Sequence, residues 1–190
     1  MILITGGAGF IGSNLVATLS KKTGAPKITV VDRLGIDDKW KNLSNHLVHQ
    51  IIEPEDLVKY LSENGESIEY VFHLGAISST TEKDVDLILR NNFNLSLSLW
   101  NWCTKNKRRF LYASSAATYG DGKNDFEDNQ SLLYLNKLIP LNLYGWSKHI
   151  IDKYFIIFLC IEVSTSQRRN SRSRRVALQV RNIIILIILL

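Results

Sequence analysis

The sequence predicts an α/β fold in which a doubly wound parallel sheet carries helices on both faces. Short apolar runs rich in Val, Ile, Leu and Tyr alternate with stretches of helical pattern from the first residue onward, and a glycine-rich turn follows the first run. Buried parallel strands are expected to be such short and nearly continuous apolar runs. The five predicted strands cover residues 2–5, 27–31, 47–51, 69–74 and 108–114.

Four predicted helices follow the strands. They cover residues 11–22, 54–64, 82–105 and 144 to about 158. Pro54 suits a first helical turn, and Glu55 and Asp56 come next, at the positive end of the helix dipole. Right-handed crossovers between parallel strands then give the strand order 3-2-1-4-5.

Charge and composition separate the first 155 residues from the rest. The formal net charge of +5 in 190 residues comes from the segment 156–190, which contains six Arg and a single acidic residue, Glu162. The remaining chain is neutral, so its charge does not indicate a nucleic-acid partner. We expect one domain over residues 1–155, truncated before a substrate domain. The Arg- and Ser-rich tail of residues 156–190, with its apolar end, is expected to be frameshifted or unstructured.

The sequence favours a cytoplasmic protein without membrane or metal binding. It starts with a strand pattern rather than a basic and apolar leader. The longest apolar runs, residues 154–161 and 183–190, are far shorter than the roughly 20 residues that span a bilayer. Cys103 and Cys160 lack neighbours at metal-ligand spacing and are expected to be thiols.

The first strand is followed by Gly6, Gly9 and Gly12, which lie at three-residue spacing. Such a turn lets the backbone approach a pyrophosphate at the start of a helix. Asp32 ends the second strand, where a carboxylate reaches the ribose of an adenosine. A structural turn is the alternative explanation for the glycines, but Asp32 favours a Rossmann-like dinucleotide site.

Two cations adjoin Asp32 in the sequence. Arg33 follows it directly, and Lys39 lies in the same loop. Either could bind the 2′-phosphate of NADP, whereas Asp32 alone would suit NAD. The sequence therefore favours NADP and leaves NAD possible, and an ordinary solvated role remains an alternative for Lys39.

A second group of polar residues follows the fifth strand. Ser115 lies at the end of that strand, and Tyr144 and Lys148 are spaced to share one face of a helix. A cation beside a phenol favours the phenolate, so Tyr144 could act as an acid/base near neutral pH. Ser115 could hydrogen-bond the same substrate oxygen.

These motifs resemble the extended short-chain dehydrogenase/reductase family of sugar-nucleotide epimerases and dehydratases. Within that family, the chain is similar to the 6-epimerases of ADP-heptose in HLGAISSTTE (73–82), RNNFN (90–94), FLYASSAATYG (110–120) and PLNLYGWSKHIID (140–152). The similarity covers residues 1 to about 155. It implies a nucleotide-sugar isomerase of lipopolysaccharide precursor synthesis, with bound NADP and homo-oligomeric full-length members.

The resemblance implies roles for individual residues. Tyr144 corresponds to the catalytic acid/base, Ser115 to the hydroxyl beside it, and Lys148 to a residue that serves both catalysis and the cofactor. The other implied cofactor contacts are Phe10, Ile11, Asp32, Arg33, Lys39, Leu74, Gly75, Ala76, Ile77, Ser78 and Asn91. Asn91 and Asn92 are expected to face the sheet and to need a polar partner, which a dinucleotide would supply; a polar pair on the helix surface is the alternative.

The sequence departs from the family at three places. Pro54 stands where the family has a basic cofactor contact, and Leu74 replaces an acidic residue. The family's second acid/base is a later Lys, but Lys153 is the last Lys of this chain. We therefore expect this chain to be a truncated copy of such an epimerase without epimerase activity. The alternatives are a non-catalytic dinucleotide-binding remnant and an enzyme like the UDP-hexose 4-epimerases.

Overall fold

A computed structural model describes residues 1–36, 38–129, 131–167 and 183–186. Its strands lie in one sheet in the order β3-β2-β1-β4-β5-β6. The strands are β1 (Ile2–Thr5), β2 (Ile28–Val31), β3 (Gln50–Ile52), β4 (Tyr70–His73), β5 (Arg109–Ala113) and β6 (Ile183–Leu186). The predicted order 3-2-1-4-5 is confirmed, with one further strand beside β5.

Six α-helices are described. They are α1 (Phe10–Ser20), α2 (Leu57–Asn64), α3 (Val85–Ile88), α4 (Leu95–Asn106), α5 (Leu132–Leu135) and α6 (Leu143–Gln167). A π-helical segment, Leu89–Asn94, joins α3 to α4, so the predicted helix over 82–105 is interrupted by a wider turn. Helix α6 runs beyond its predicted end near residue 158. The sequence analysis predicted neither α5 nor β6.

The chain divides into two compact units. Unit 1 contains Met1–Ala76 and Arg108–Leu111, and unit 2 contains Ile77–Lys107 and Tyr112–Leu190. The prediction of one domain over residues 1–155 with a separate tail stays a prediction, and residues 168–182 and 187–190 of that tail lie outside the described residues. In the part of the chain that the structure describes, no helix has the length and apolar character to cross a bilayer.

Unit 1 is organised around β1, which pairs in parallel with β2 on one side and β4 on the other. Every residue of β1 and β2 is buried, as expected for central strands covered on both faces. Side chains from β1, α1 and β2 form its apolar core, including Ile4, Val16 and Val30. This core fixes the carboxyl ends of β1 and β2, where the predicted cofactor residues begin.

Unit 2 is held together by aromatic packing against α6. The rings of Trp100 and Phe155 stack with centroids 4.0 Å apart, and Tyr112 meets Phe155 edge-on at 5.3 Å. All three side chains are fully buried. Burying rings of this size contributes a large share of the apolar stabilisation of a small unit. This packing orients the face of α6 that carries the predicted acid/base residues.

Candidate functional site

The glycine-rich turn connects β1 to α1 and leaves the start of the helix open. Gly6 has φ +67°, and a Cβ there would lie 2.6 Å from the Cα of Gly75. A Cβ on Gly12 would lie 2.2 Å from the carbonyl oxygen of Gly6. Gly9 is the N-cap of α1, and no side chain in the described part of the chain caps its amides. The turn therefore has the form of a cradle for an anion such as a pyrophosphate.

Asp32 lies at the end of β2, and both of its carboxylate oxygens have partners. Oδ2 accepts a hydrogen bond from the Ala8 amide at 2.8 Å, and Oδ1 lies 2.5 Å from the Lys39 Nζ. The carboxylate is therefore tied to the glycine turn on one side and to a cation on the other. Asn42, which the sequence analysis missed, donates to the Ala8 carbonyl at 2.9 Å and adds a second tie to the turn.

Arg33 forms an exposed ion pair with Glu55. The hydrogen bond from Arg33 holds the pKa of the Glu55 carboxyl below its usual value. The sequence analysis placed Glu55 in a helix start and did not anticipate this pair, which joins residues 22 positions apart. A phosphate that binds Arg33 would therefore have to displace Glu55 or to share the Arg33 guanidinium with it.

The loop after β4 contains the predicted contacts Leu74 to Ser78. In unit 1, the Gly75 amide donates to the Thr5 hydroxyl at 3.0 Å, which fixes the loop beside the glycine turn. In unit 2, the Ile77 amide donates to Asn92 Oδ1 at 2.8 Å, and Asn92 Nδ2 donates back to the Ile77 carbonyl at 3.0 Å. Leu74, Gly75, Ala76 and Ile77 are partly exposed, and Ser78 is exposed.

Asn91 and Asn92 occupy the π-helical segment but have different environments. Asn92 is buried, and its Nδ2 also donates to Ser147 Oγ at 3.0 Å. The protein therefore supplies the polar partners that we expected of a dinucleotide, because a peptide group and a hydroxyl satisfy the amide. Asn91 is partly exposed and donates to the Leu87 carbonyl at 2.9 Å. Its contact with a cofactor stays a prediction.

Tyr144 and Lys148 lie one turn apart on α6, as the spacing predicted. Tyr144 is partly exposed, whereas the Lys148 side chain is only 2% exposed. The Lys148 Nζ donates to the Ala113 carbonyl at 2.7 Å and lies 4.5 Å from the centre of the Tyr112 ring. Burial lowers the pKa of Lys148 to about 8, against an opposing attraction from Asp152. The lysine is thus a cation that is held at the end of β5 and charged at neutral pH.

Ser115 begins the single helical turn Ala116–Tyr119 and caps it. Its Oγ accepts a hydrogen bond from the Ala117 amide at 3.2 Å, which leaves the hydroxyl hydrogen for another acceptor. Helix α6 packs closely on this turn, since a Cβ on Gly145 would lie 2.4 Å from the Ala117 carbonyl oxygen. The sequence analysis passed over Gly145, although a glycine beside Tyr144 in a helix is itself a signal of close packing.

Asp152 and Ser114 were also missed. Asp152 follows Lys148 by one helical turn and is buried, and its Oδ2 accepts a hydrogen bond from Ser114 Oγ at 2.5 Å. Burial raises the pKa of Asp152 to about 7. An acidic residue within the apolar stretch of residues 150–159 is the sequence signal that could have identified it.

Comparisons with known proteins extend this description. Residues 2–158 match the model of the NAD dependent epimerase/dehydratase family. The ADP-L-glycero-D-manno-heptose-6-epimerase of Fusobacterium nucleatum subsp. nucleatum is 44% identical over 156 residues, which are 81% of this chain and 47% of that protein. The enzyme of the same name from Nitratidesulfovibrio vulgaris (strain DP4) is 40% identical over 154 residues, or 80% of this chain and 47% of the relative. The chain thus spans about half the length of these curated relatives.

Solved structures give the same picture. The ADP-L-glycero-D-manno-heptose-6-epimerase of Helicobacter pylori matches with a TM-score of 0.66 and 29% identity, over 83% of this chain and 50% of that one. A UDP-glucuronic acid 4-epimerase from Bacillus cereus in complex with NAD matches with a TM-score of 0.66 and 27% identity, over 82% and 51% of the two chains. The predicted resemblance to sugar-nucleotide epimerases is confirmed, and the chain belongs to the NAD dependent epimerase/dehydratase family.

Proposed function

We propose that this chain is the dinucleotide-binding part of an ADP-L-glycero-D-manno-heptose 6-epimerase that uses NADP. The observation that carries the proposal is the position of Tyr144 one turn before the buried Lys148, in a chain 44% identical to an enzyme of that name. Its substrate would be ADP-heptose, a precursor of lipopolysaccharide. A cytoplasmic location and a homo-oligomeric full-length form accompany the proposal.

The residues of unit 1 fit the cofactor. A pyrophosphate would lie against the uncapped amides of α1, because Gly6 and Gly12 leave the space that a Cβ would fill. Asp32 would accept hydrogen bonds from the adenosine ribose, and the neighbouring cations Lys39 and Arg33 favour a 2′-phosphate. Phe10 is largely exposed beside the turn. Together with Ile11, it would cover the adenosine end of the cofactor.

The residues of unit 2 supply proton chemistry. When bound, the cofactor would supply reversible hydride transfer at carbon 6 of the heptose, with removal on one face and return on the other. Tyr144 would act as the acid/base for the hydroxyl at that carbon in one of the two hydride transfers. Lys148 favours the phenolate because it holds a positive charge one turn away, and Ser115 would donate its free hydroxyl hydrogen to the same oxygen.

An assay of epimerisation tests the proposal. Because the chain spans about half of its relatives, it would be joined to the C-terminal half of the F. nucleatum enzyme and given ADP-heptose, with the two epimers followed by NMR. We expect turnover, and we expect Tyr144→Phe to lower it by roughly 10²-fold or more, since the phenol proton is lost while the ring remains. The control is the affinity of the hybrid for the dinucleotide, which Tyr144→Phe should not change because Phe10 and Asp32 are left intact.

Two other outcomes would replace the proposal. A hybrid that binds the dinucleotide but turns over no sugar would favour a non-catalytic binding module. Turnover of UDP-glucose in place of ADP-heptose would favour a 4-epimerase, the class to which the B. cereus neighbour belongs.

A further inference from the structure

Beneath Tyr144 lies a buried layer of polar groups that the proposed chemistry does not use. It consists of Tyr112 and Ser114 from the end of β5 and of Lys148 and Asp152 from α6, and each of these side chains is at most 4% exposed. Burial of ionisable groups is costly unless they compensate one another. Their arrangement therefore has to be explained by what they do for each other.

Asp152 is the acidic member of this layer, and its two oxygens differ. Oδ2 accepts the hydrogen bond from Ser114, whereas Oδ1 is buried and has no hydrogen-bond partner among the described residues. A buried carboxylate with one unsatisfied oxygen is costly, so local packing alone does not explain its presence. Its charge is the property that a neutral residue would lack.

That charge acts on Lys148. The two residues lie at i and i+4 on α6, so they share one face of the helix. The Lys148 ammonium has a carbonyl and the face of Tyr112 as its close partners, and neither supplies a full negative charge. Asp152 is the acidic group whose attraction opposes the effect of burial on Lys148.

We propose that Asp152, held by Ser114, is a positioning residue that keeps the buried Lys148 ammonium charged. Its value for catalysis rests on the proposed function, because a charged Lys148 is what favours the Tyr144 phenolate. The other titratable groups that face Asp152 are Tyr112 on β5 and Tyr119 on the turn after it, and burial raises the pKa of both phenols, so they remain neutral. Lys148 is thus the group that responds to Asp152.

The experiment measures the charge of Lys148 directly in the 190-residue chain. The ¹³Cε shifts of labelled lysines are followed against pH, and Lys148→Arg assigns the signal. We expect Asp152→Asn to lower the pKa of Lys148 by about 1, the scale of a neighbouring opposite charge. The matched control is Asp86→Asn, an exposed Asp of α3, which should leave the Lys148 signal unchanged.

Ser114→Ala provides the second variant. Without its hydrogen bond to the carboxylate, the pKa of Asp152 should rise, and the pKa of Lys148 should fall in the same direction as in Asp152→Asn but by less. Because Ser114 acts through Asp152, Ser114→Ala should have no further effect on Lys148 in the Asp152→Asn background. If Asp152→Asn does not fold, the shift in Ser114→Ala decides the question alone.

An unchanged pKa of Lys148 in both variants would overturn the inference, as would an effect of Ser114→Ala that persists without Asp152. Neither result depends on a cofactor or substrate. Failure of the inference is therefore distinguishable from failure of the proposed epimerase function, which the hybrid assay tests.

Discussion

Arg33 and Glu55 form an ion pair at the place where the sequence predicts a bound 2′-phosphate. An exposed pair of this kind contributes little to stability, so its main effect is on what else Arg33 can bind. A 2′-phosphate carries more negative charge than the exposed carboxylate of Glu55 and can also form two charge-assisted hydrogen bonds with Arg33, so it would compete with Glu55 for the guanidinium. The cofactor preference of the chain should therefore depend on Arg33 more than its present contact suggests.

We expect the chain to bind NADP more tightly than NAD and Arg33→Ala to remove most of the difference, a loss of roughly tenfold for one charge-assisted interaction. Titration calorimetry with each dinucleotide measures both affinities. Lys41→Ala is the matched control, since Lys41 is an exposed cation of the same loop that pairs with Asp38. Equal affinities of the unmutated chain for the two dinucleotides would contradict the preference.

Asp152 makes a second prediction at the scale of single residues, this time on stability. Its pKa is raised from 3.8 to about 7 in the folded chain, so ionising Asp152 costs more free energy in the folded chain than in the unfolded chain. By linkage, the stability is highest below the ordinary carboxyl pKa and falls as the pH rises through about 7. Burial lowers the pKa of Lys148 to about 8. The contribution of Lys148 to stability therefore changes above pH 8, outside the pH range in which Asp152 titrates.

We therefore expect the free energy of unfolding of the unmutated chain, relative to Asp152→Asn, to fall as the pH rises from about 4 to about 7. Urea unfolding at a series of pH values measures this difference. The control is Asp86→Asn, at an exposed Asp of α3, whereas Asp84→Asn is unsuitable because Asp84 caps that helix. A flat difference for Asp152→Asn would contradict the raised pKa of Asp152.

At the scale of elements, α6 depends on aromatic packing. Phe155 is fully buried and contacts Trp100 and Tyr112, whereas Ile157 on the same helix is 45% exposed. We expect Phe155→Ala to lower the free energy of unfolding by about 3–5 kcal/mol and Ile157→Ala to lower it by about 0.5 kcal/mol. Urea unfolding followed by tryptophan fluorescence checks both, and similar losses in the two variants would contradict the packing described for α6.

The same scale shows what the sequence could and could not predict. The strands were predictable because their apolar runs are bounded by Gly, Pro and charged residues, and the observed bounds differ from the predicted ones by a few residues at most. Helix α5 was missed because it has only one turn, started by the Ser131 cap. The π-helical segment was missed because its residues are consistent with an ordinary helix, and only the backbone hydrogen bonds of the folded chain distinguish the two.

For the whole molecule, the motifs predicted the positions of residues in the fold better than they predicted the hydrogen-bond and ion-pair partners of those residues. Gly6, Asp32, Tyr144 and Lys148 lie where the pattern of strand ends and helix starts places them. Two contacts were not predictable because they join residues far apart in the chain. Arg33 and Glu55 are 22 positions apart, and Ser114 and Asp152 are 38 positions apart. Local spacing has no information on such contacts, which depend on how the elements pack.

The π-helical segment has a consequence for how this part of the chain can change in length. Deleting one residue from Leu89–Asn94 would allow a continuous α-helix from α3 into α4, because the wider turn holds one residue more than an α-helical turn. The helical segments on either side would keep their rotation about the helix axis, because the extra residue of a π-helical turn is accommodated locally. Trp100 would then keep its contact with Phe155, and the loss would fall on the polar contacts of Asn92 with Ile77 and Ser147. A single deleted codon here should therefore be tolerated better than a single deleted codon in the middle of α4.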